Sequence, residues 1–105
     1  MSNPERSVTI AKADFFRFRL YVAEGTLNSG QAVANLRSIC NRHLPGRHKI
    51  EIVDVFKEPD RAMEDRIFMT PTLVKLAPGP VEKIVGTLSR TNLVLQVLGL
   101  EELVA

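Results

Sequence analysis

The side chains with the greatest chemical potential in this sequence are one cysteine and two histidines. Cys40 is the only cysteine. It recurs with Leu36 and Leu44 at helical spacing, which predicts a buried and inert thiol. His43 and His48 flank a Pro-Gly turn, with no cysteine or carboxylate at a spacing suited to metal ligation. We therefore expect two surface histidines and no metal site.

Acidic and basic side chains alternate in the middle of the chain. Such alternation is typical of a solvated helix face, and catalysis by paired carboxylates would also need a pocket, which the pattern does not predict. The sequence has neither a phosphate-binding glycine loop ending in lysine nor a Gly-x-Ser-x-Gly elbow. It therefore predicts no catalytic residue and no cofactor. The alternating residues are Lys57, Glu58, Asp60, Arg61, Glu64, Asp65 and Arg66.

Length, charge and hydropathy exclude other function classes. The 105 residues predict a single domain (residues 1–105), whose polar residues 1–14 are expected to be a flexible N-terminus. The net charge of +2 without a basic run argues against nucleic-acid binding. No apolar stretch reaches the ~18–20 residues that span a bilayer, and no signal peptide is evident. One unpaired cysteine is typical of a reducing compartment, so we expect a cytoplasmic protein.

The first element is predicted by a period of two. From Phe16 onward, apolar residues alternate with Arg17, Arg19 and Tyr21, which predicts a strand with one buried face. The two arginines and the tyrosine on the outer face fit either an exposed strand surface or a protein-contact surface. The sequence leaves both interpretations open.

A helix and a second strand follow. Asn28 or Ser29 is the expected helix cap, and apolar residues then recur at three- and four-residue steps as far as Leu44. The β-branched residues of 50–55 predict a second strand, which pairs parallel with the first through a right-handed crossover.

The second half of the chain has shorter apolar runs. A short helix is predicted from Glu58, with Met63 and Phe68 on its apolar side. Residues 73–76 and 81–85 predict a hairpin. Ser89 is the expected cap of a last helix, with Leu93 facing inward.

The resulting order, βαβαββα, is that of an α/β thioredoxin-like domain. Thr70-Pro71 opens the third strand, where such domains usually hold a cis-proline opposite the active-site loop. The corresponding loop, residues 24–29, has no Cys-x-x-Cys. Because thiol–disulfide chemistry needs a low-pKa thiolate and usually a resolving thiol, the sequence favours a binding module over an enzyme.

Four stretches resemble the KaiB family, the small clock proteins of cyanobacteria and their relatives in other bacteria. They are Leu-Tyr-Val-Ala-Glu-Gly-Thr-Leu-Asn-Ser at 20–29, Val-Asp-Val-Phe-Lys-Glu-Pro at 53–59, Asp-Arg-Ile-Phe-Met-Thr-Pro-Thr-Leu-Val-Lys at 65–75, and residues 80–89. The resemblance covers about residues 18–98.

This resemblance implies a non-enzymatic protein that binds KaiC, a hexameric RecA-like ATPase, and alters its phosphorylation or output in circadian or stress-related timing. The partner-binding residues it implies are Lys57, Glu58, Pro59 and Asp60, together with Asn28 and Ser29.

The resemblance also implies a metamorphic fold. The thioredoxin-like form would bind KaiC, whereas a homo-oligomeric ground state (a dimer or tetramer) would have the order βαββααβ after re-pairing of the C-terminal half. Pro71, Gly86 and Thr87 are the expected fold-switch residues.

The chain departs from the usual family pattern at Glu24, Leu27 and Thr87, where glycine, proline and aspartate are common. These departures favour a non-cyanobacterial relative without KaiA capture. The alternative function is a thioredoxin-like sensor or adaptor module of a KaiC-responsive signalling pathway, which the absence of an attached kinase disfavours. A redox or glutathione-handling enzyme is disfavoured because Cys40 stands alone.

Overall fold

The computed structural model describes residues 14–100. Residues 1–13 of the predicted flexible N-terminus lie outside the described residues. The elements are β1 (Phe16–Val22), α1 (Leu27–His43), β2 (His48–Asp54), α2 (Pro59–Glu64), β3 (Thr72–Ala77), β4 (Glu82–Val85) and α3 (Thr91–Leu98). The predicted order βαβαββα is confirmed.

The strands form one mixed sheet in the order β2-β1-β3-β4. β1 and β2 pair in parallel from Phe16↔His48 to Val22↔Asp54, which confirms the predicted crossover. β3 pairs antiparallel with both β1 and β4, and the second of these pairs is the predicted hairpin.

The two faces of the sheet have different covers. On the first face, α1 and α3 pack on β1 around a hydrocarbon core that includes Phe18, Leu20, Leu36 and Val94. On the second face, the short helix α2 contributes one buried side chain, Ala62, to a small cluster. The other buried members of that cluster are Tyr21, Val53 and Val74.

Both predicted helix caps are wrong. α1 begins two to three residues earlier than predicted, after Thr26, whose hydroxyl donates to the carbonyl of Ala23 (2.7 Å) rather than capping the helix. Ser29 lies inside the helix, and its Oγ accepts from the backbone N–H of Ala23 (2.9 Å). α3 follows Arg90 rather than Ser89, and the Ser89 hydroxyl instead accepts from that of Thr87 (3.1 Å).

No helix in the described part of the chain is both long and apolar enough to cross a membrane.

Candidate partner-binding surface

The loop at 24–29 and the segment at 54–60 meet at one edge of the sheet. They do so because β1 and β2 are parallel, so that their carboxyl ends lie side by side. The backbone N–H of Val55 donates to the carbonyl of Val22 (2.9 Å). Lys57 Nζ donates to Glu24 Oε2 (3.1 Å), and both side chains are exposed. The structure therefore brings the two predicted stretches together.

A tight turn presents the 54–60 segment to solvent. The Asp54 carboxylate accepts from the N–H of Phe56 (2.9 Å), and its carbonyl accepts from those of Lys57 and Glu58. Pro59 then occupies the first turn of α2, as predicted, and Asp60 is exposed beside it. The turn leaves Phe56 73% exposed.

Large apolar side chains remain exposed around α2. Met63 is 75% exposed, Phe68 87% and Met69 64%, so the prediction that Met63 and Phe68 face the core is wrong. The physical reason is the length of the helix, because its six residues offer only Ala62 to the sheet. Together with Phe56, these residues form what we call the apolar rim. Four large apolar side chains that stay exposed within one segment, residues 56–69, favour an interaction site there.

A cleft of about 910 Å³ lies between α1 and β2 and is also lined by Lys57 and Glu58, which follow Phe56 in the chain. Its lining includes the apolar residues Val22, Val33 and Ile52 together with four charged residues. Ser29 lines it, but its hydroxyl oxygen already accepts from the N–H of Ala23. Asn28 is exposed on the first turn of α1. The charged residues are Glu24, Asp54, Lys57 and Glu58.

The comparisons with known proteins decide the family. A family model described as the KaiB domain matches residues 19–100. The chain belongs to the KaiB family. The circadian clock protein KaiB3 of Synechocystis sp. is 43% identical over 83 residues, which are 79% of each chain. The circadian clock oscillator protein KaiB of Prochlorococcus marinus is 44% identical over 77 residues, which are 73% of each chain.

Solved structures confirm the thioredoxin-like fold of this KaiB-family chain. Chloroplastic thioredoxin z superposes with a TM-score of 0.68 at 23% identity, covering 95% of this chain and 90% of that one. The N-terminal domain of Synechococcus elongatus SasA has a TM-score of 0.68 at 23% identity, covering 89% and 91%.

An ion-pair network fastens α2 of the KaiB-family chain to the sheet. Arg19 Nε donates to Glu51 Oε1 (2.9 Å), and its Nη1 donates to Asp65 Oδ2 (3.0 Å). Arg61 binds both oxygens of Glu51, at 2.7 and 2.9 Å. The Tyr21 hydroxyl donates to Asp65 Oδ2 (2.5 Å). The network therefore fixes α2, which carries Met63 of the apolar rim, against the sheet.

The network shifts the ionisation of its members. Hydrogen bonds from Arg61 and then from Arg19 lower the pKa of Glu51 to about 2. Burial, followed by the bond to Asp65, raises the pKa of Tyr21 to about 12. Burial would raise the pKa of Asp65, but the bonds from Tyr21 and Arg19 outweigh it and lower that pKa. The carboxylates are therefore charged and the phenol neutral at physiological pH.

The structure divides the three predicted outer-face residues of β1. Tyr21 is fully buried, Arg19 is half-buried in the network, and only Arg17 is exposed. The sequence missed this because the network partners lie 32 to 46 residues away from Arg19 and Tyr21. No local pattern could reveal them.

The three predicted fold-switch residues of the KaiB-family chain lie near one another. Pro71 is buried, and the Thr70–Pro71 peptide bond is cis. The carbonyl of Pro71 accepts from the N–H of Gly86 (2.9 Å). Gly86 has a φ of +119°. The carbonyl of Thr87 accepts from the side-chain amide of Asn35 on α1 (2.8 Å). Their role in a switch stays a prediction.

The cysteine and the two histidines are buried or half-buried in the fold. Cys40 is fully buried, as predicted, and burial raises the pKa of its thiol to about 12. His43 and His48 are half-buried rather than on the open surface, and His48 Nδ1 lies 2.7 Å from the carbonyl oxygen of Leu44. Within residues 14–100, no cluster of histidine, cysteine or carboxylate side chains could hold a metal ion.

Proposed function

We propose that this chain is a non-enzymatic regulator that binds a KaiC-type hexameric ATPase and modulates its phosphorylation or output. Its membership of a family of circadian clock proteins supports the proposal. The observation that carries it is the apolar rim, in which Phe56, Met63, Phe68 and Met69 are each at least 64% exposed.

A rim of this kind costs solvation free energy in the isolated chain, and a partner that covers it removes that cost. Aromatic residues and methionine are enriched at protein interfaces, and a few buried anchors supply most of the binding energy. We infer that Phe56 and Met63 are anchors, because each projects from a backbone that the turn at Asp54 and the network at Arg61 hold in place. A fixed backbone lowers the entropy that binding loses.

The exposed charges that line the cleft would steer the encounter. Lys57 is exposed and pairs only with the equally exposed Glu24 among the described residues. Charges at the edge of an interface mainly affect the association rate. Lys57→Glu is therefore expected to slow association and weaken its dependence on salt, while the dissociation rate changes little.

The decisive experiment measures binding of the full chain to a purified KaiC-type hexamer by biolayer interferometry. Phe56→Ala and Met63→Ala should each weaken binding roughly tenfold. Leu93→Ala is the matched control. The prediction that Leu93 faces inward is wrong, because the eight-residue helix α3 buries only Val94 and Leu98 and leaves Leu93 48% exposed, outside the rim. Wild-type affinity in both rim variants would show that the rim is not the interface, and failure of the wild-type chain to bind the hexamer would refute the function itself.

We also propose that the C-terminal half re-pairs in a homo-oligomeric ground state of order βαββααβ. Gly86 supports a test, because its φ of +119° disfavours a side chain although the space around it is open. Gly86→Ala should therefore move the population away from the thioredoxin-like form by about fivefold. Gly30→Ala is the control, since Gly30 is helical with open space around it. A single set of NMR peaks in wild type and both variants would refute the rearrangement.

A further inference from the structure

An unneutralised pair of cations lies on the second face of the sheet, beyond the end of the ion-pair network. Arg17 on β1 and Lys49 on β2 are register partners, and both side chains are exposed. Among residues 14–100, neither forms an ion pair or a side-chain hydrogen bond. Like charges directly opposite one another on a sheet repel, so this arrangement favours an anionic partner.

The short helix α2 explains why the pair is uncovered. Successive cross-strand rows on this face are Tyr21–Val53, Arg19–Glu51 and Arg17–Lys49. Ala62 packs over the first row, and Arg61 closes the second. A helix of six residues spans only about 9 Å, and no described element covers the third row.

The nearest carboxylate is already engaged. Glu51 also lines the small depression of about 330 Å³ around the cationic pair, but its two oxygens accept from Arg19 and Arg61. Leu76 adds a half-buried apolar surface to the same depression. It lies at the irregularity where the β1–β3 register shifts. The site thus offers two cations next to one aliphatic side chain.

We propose that Arg17, Lys49 and Leu76 form a docking site for an acidic segment of a partner protein. Two carboxylates of the segment pair with Arg17 and Lys49, and an apolar side chain between them contacts Leu76. A protein segment fits better than nucleic acid, because two cations on adjacent strands make a patch too short to neutralise the several phosphates that such binding needs.

The acidic-segment site is independent of the surface proposed for the ATPase. Arg17 and Lys49 stand near the starts of β1 and β2, whereas the 24–29 loop and the 54–60 segment follow the ends of those strands. Two partners could therefore occupy the chain together.

The test is an NMR titration of the isotope-labelled full chain with a short synthetic peptide rich in glutamate and containing two leucines, at physiological salt. Amide shifts should concentrate at Arg17, Lys49 and Leu76. The double variant Arg17→Glu/Lys49→Glu should weaken binding roughly tenfold or more. Arg37→Glu/Arg42→Glu makes the same change of net charge at exposed positions of α1 and should bind the peptide within about twofold of wild type.

The other outcomes also decide the matter. The same peptide with glutamine in place of glutamate should not bind. Equal weakening in both double variants would show that only net charge matters and would overturn the site. Amide shifts centred on α1 or on the cleft would also overturn it. Tighter binding of a single-stranded RNA oligonucleotide or of anionic lipid vesicles under the same conditions would overturn the choice of partner. Arg17→Gln/Lys49→Gln, which removes the charges without reversing them, should weaken peptide binding to a smaller extent than the reversal.

Discussion

The two faces of the sheet are closed by different kinds of interaction. On the first face, side chains of β1, α1 and α3 meet in a hydrocarbon core in which Leu20 and Leu36 have no exposed surface. On the second face, α2 supplies Ala62, and the remaining closure comes from the ion pairs of Arg19, Arg61 and Glu51. Hydrocarbon burial is non-directional, whereas ion pairs depend on geometry, salt and pH.

The first face mainly stabilises the fold, whereas the second face mainly positions α2 and the apolar rim. The first face holds most of the buried apolar surface and so supplies most of the stability. The second face contributes less, but it places α2 and the apolar rim. Substitutions on the two faces should therefore differ in size and also in their response to salt and pH.

The largest effect is expected on the first face. Leu36→Ala removes a fully buried side chain and should lower the free energy of unfolding by about 3 kcal/mol, from lost burial and the cavity left behind. The loss should be the same in low and high salt when measured by urea denaturation. A loss that shrinks at high salt would contradict the description of this face as hydrocarbon alone.

The second face should show a smaller loss at its buried hydroxyl. Tyr21→Phe keeps the ring but removes the hydroxyl, which donates to Asp65 Oδ2 (2.5 Å) and also lies 3.1 Å from the carbonyl oxygen of Arg61. We expect a loss of about 1–2 kcal/mol, measured by denaturation. In an Asp65→Asn background the same change should cost less, because the charged acceptor is already gone. Identical costs in the two backgrounds would show that Tyr21 and Asp65 are not coupled.

The same hydroxyl gives a direct reading of pH dependence. Tyr21 is the only tyrosine, and the chain has no tryptophan, so ultraviolet absorbance reports this group alone. It should titrate at a pKa of about 12 in the folded chain. Because the folded pKa is raised, the stabilisation is complete below the usual tyrosine pKa of about 10 and is lost as the pH rises through 12. Titration near 10 in a chain that is still folded would contradict the burial of the network.

Acid should weaken the second face through Glu51. Its pKa is lowered to about 2, so its stabilisation is present above the usual glutamate pKa of about 4.3 and is lost as the pH falls towards 2. Since the side chain is 43% exposed, solvent screening keeps the loss in Glu51→Gln at neutral pH below about 1 kcal/mol. The variant should have a flatter acid limb than wild type. Glu64→Gln, at an exposed position of α2, should leave that limb unchanged.

The smallest effect should be a gain. Lys49→Gln removes a like charge at the position opposite Arg17 in the β1–β2 register and should stabilise the chain by roughly 0.2–0.5 kcal/mol, more at low salt than at high salt. Lys49→Arg is the matched control and should change little. A loss in Lys49→Gln would show that Lys49 has a partner that stabilises the fold.

The accuracy of the sequence predictions follows the same division. The alternation from Phe16 and the helical spacing around Cys40 predicted β1, α1 and the buried thiol, because one continuous apolar face leaves a periodic record. The order βαβαββα and the family were also predicted.

The residues of the second face form no such periodic pattern in the sequence. The sequence places Arg19 and Tyr21 on the outer face of β1. It gives no sign that both side chains bind Asp65, because that residue is more than 40 positions away in the chain. The predicted helix caps are wrong at both helices. The Ser29 hydroxyl accepts from the backbone N–H of Ala23, and the Ser89 hydroxyl accepts from the hydroxyl of Thr87. The exposure of Met63 depends on how little of α2 reaches the sheet, which is a property of packing rather than of composition.

The isolation of Cys40 gives the chain an internal probe of its own opening. The thiol lies on the buried face of α1 with no exposed surface, and its raised pKa keeps it protonated at physiological pH. A thiol reagent can therefore modify it only when α1 separates from the sheet. Under native conditions the rate of modification measures how often that separation occurs, and between such events the same burial shields the sulfur from oxidants.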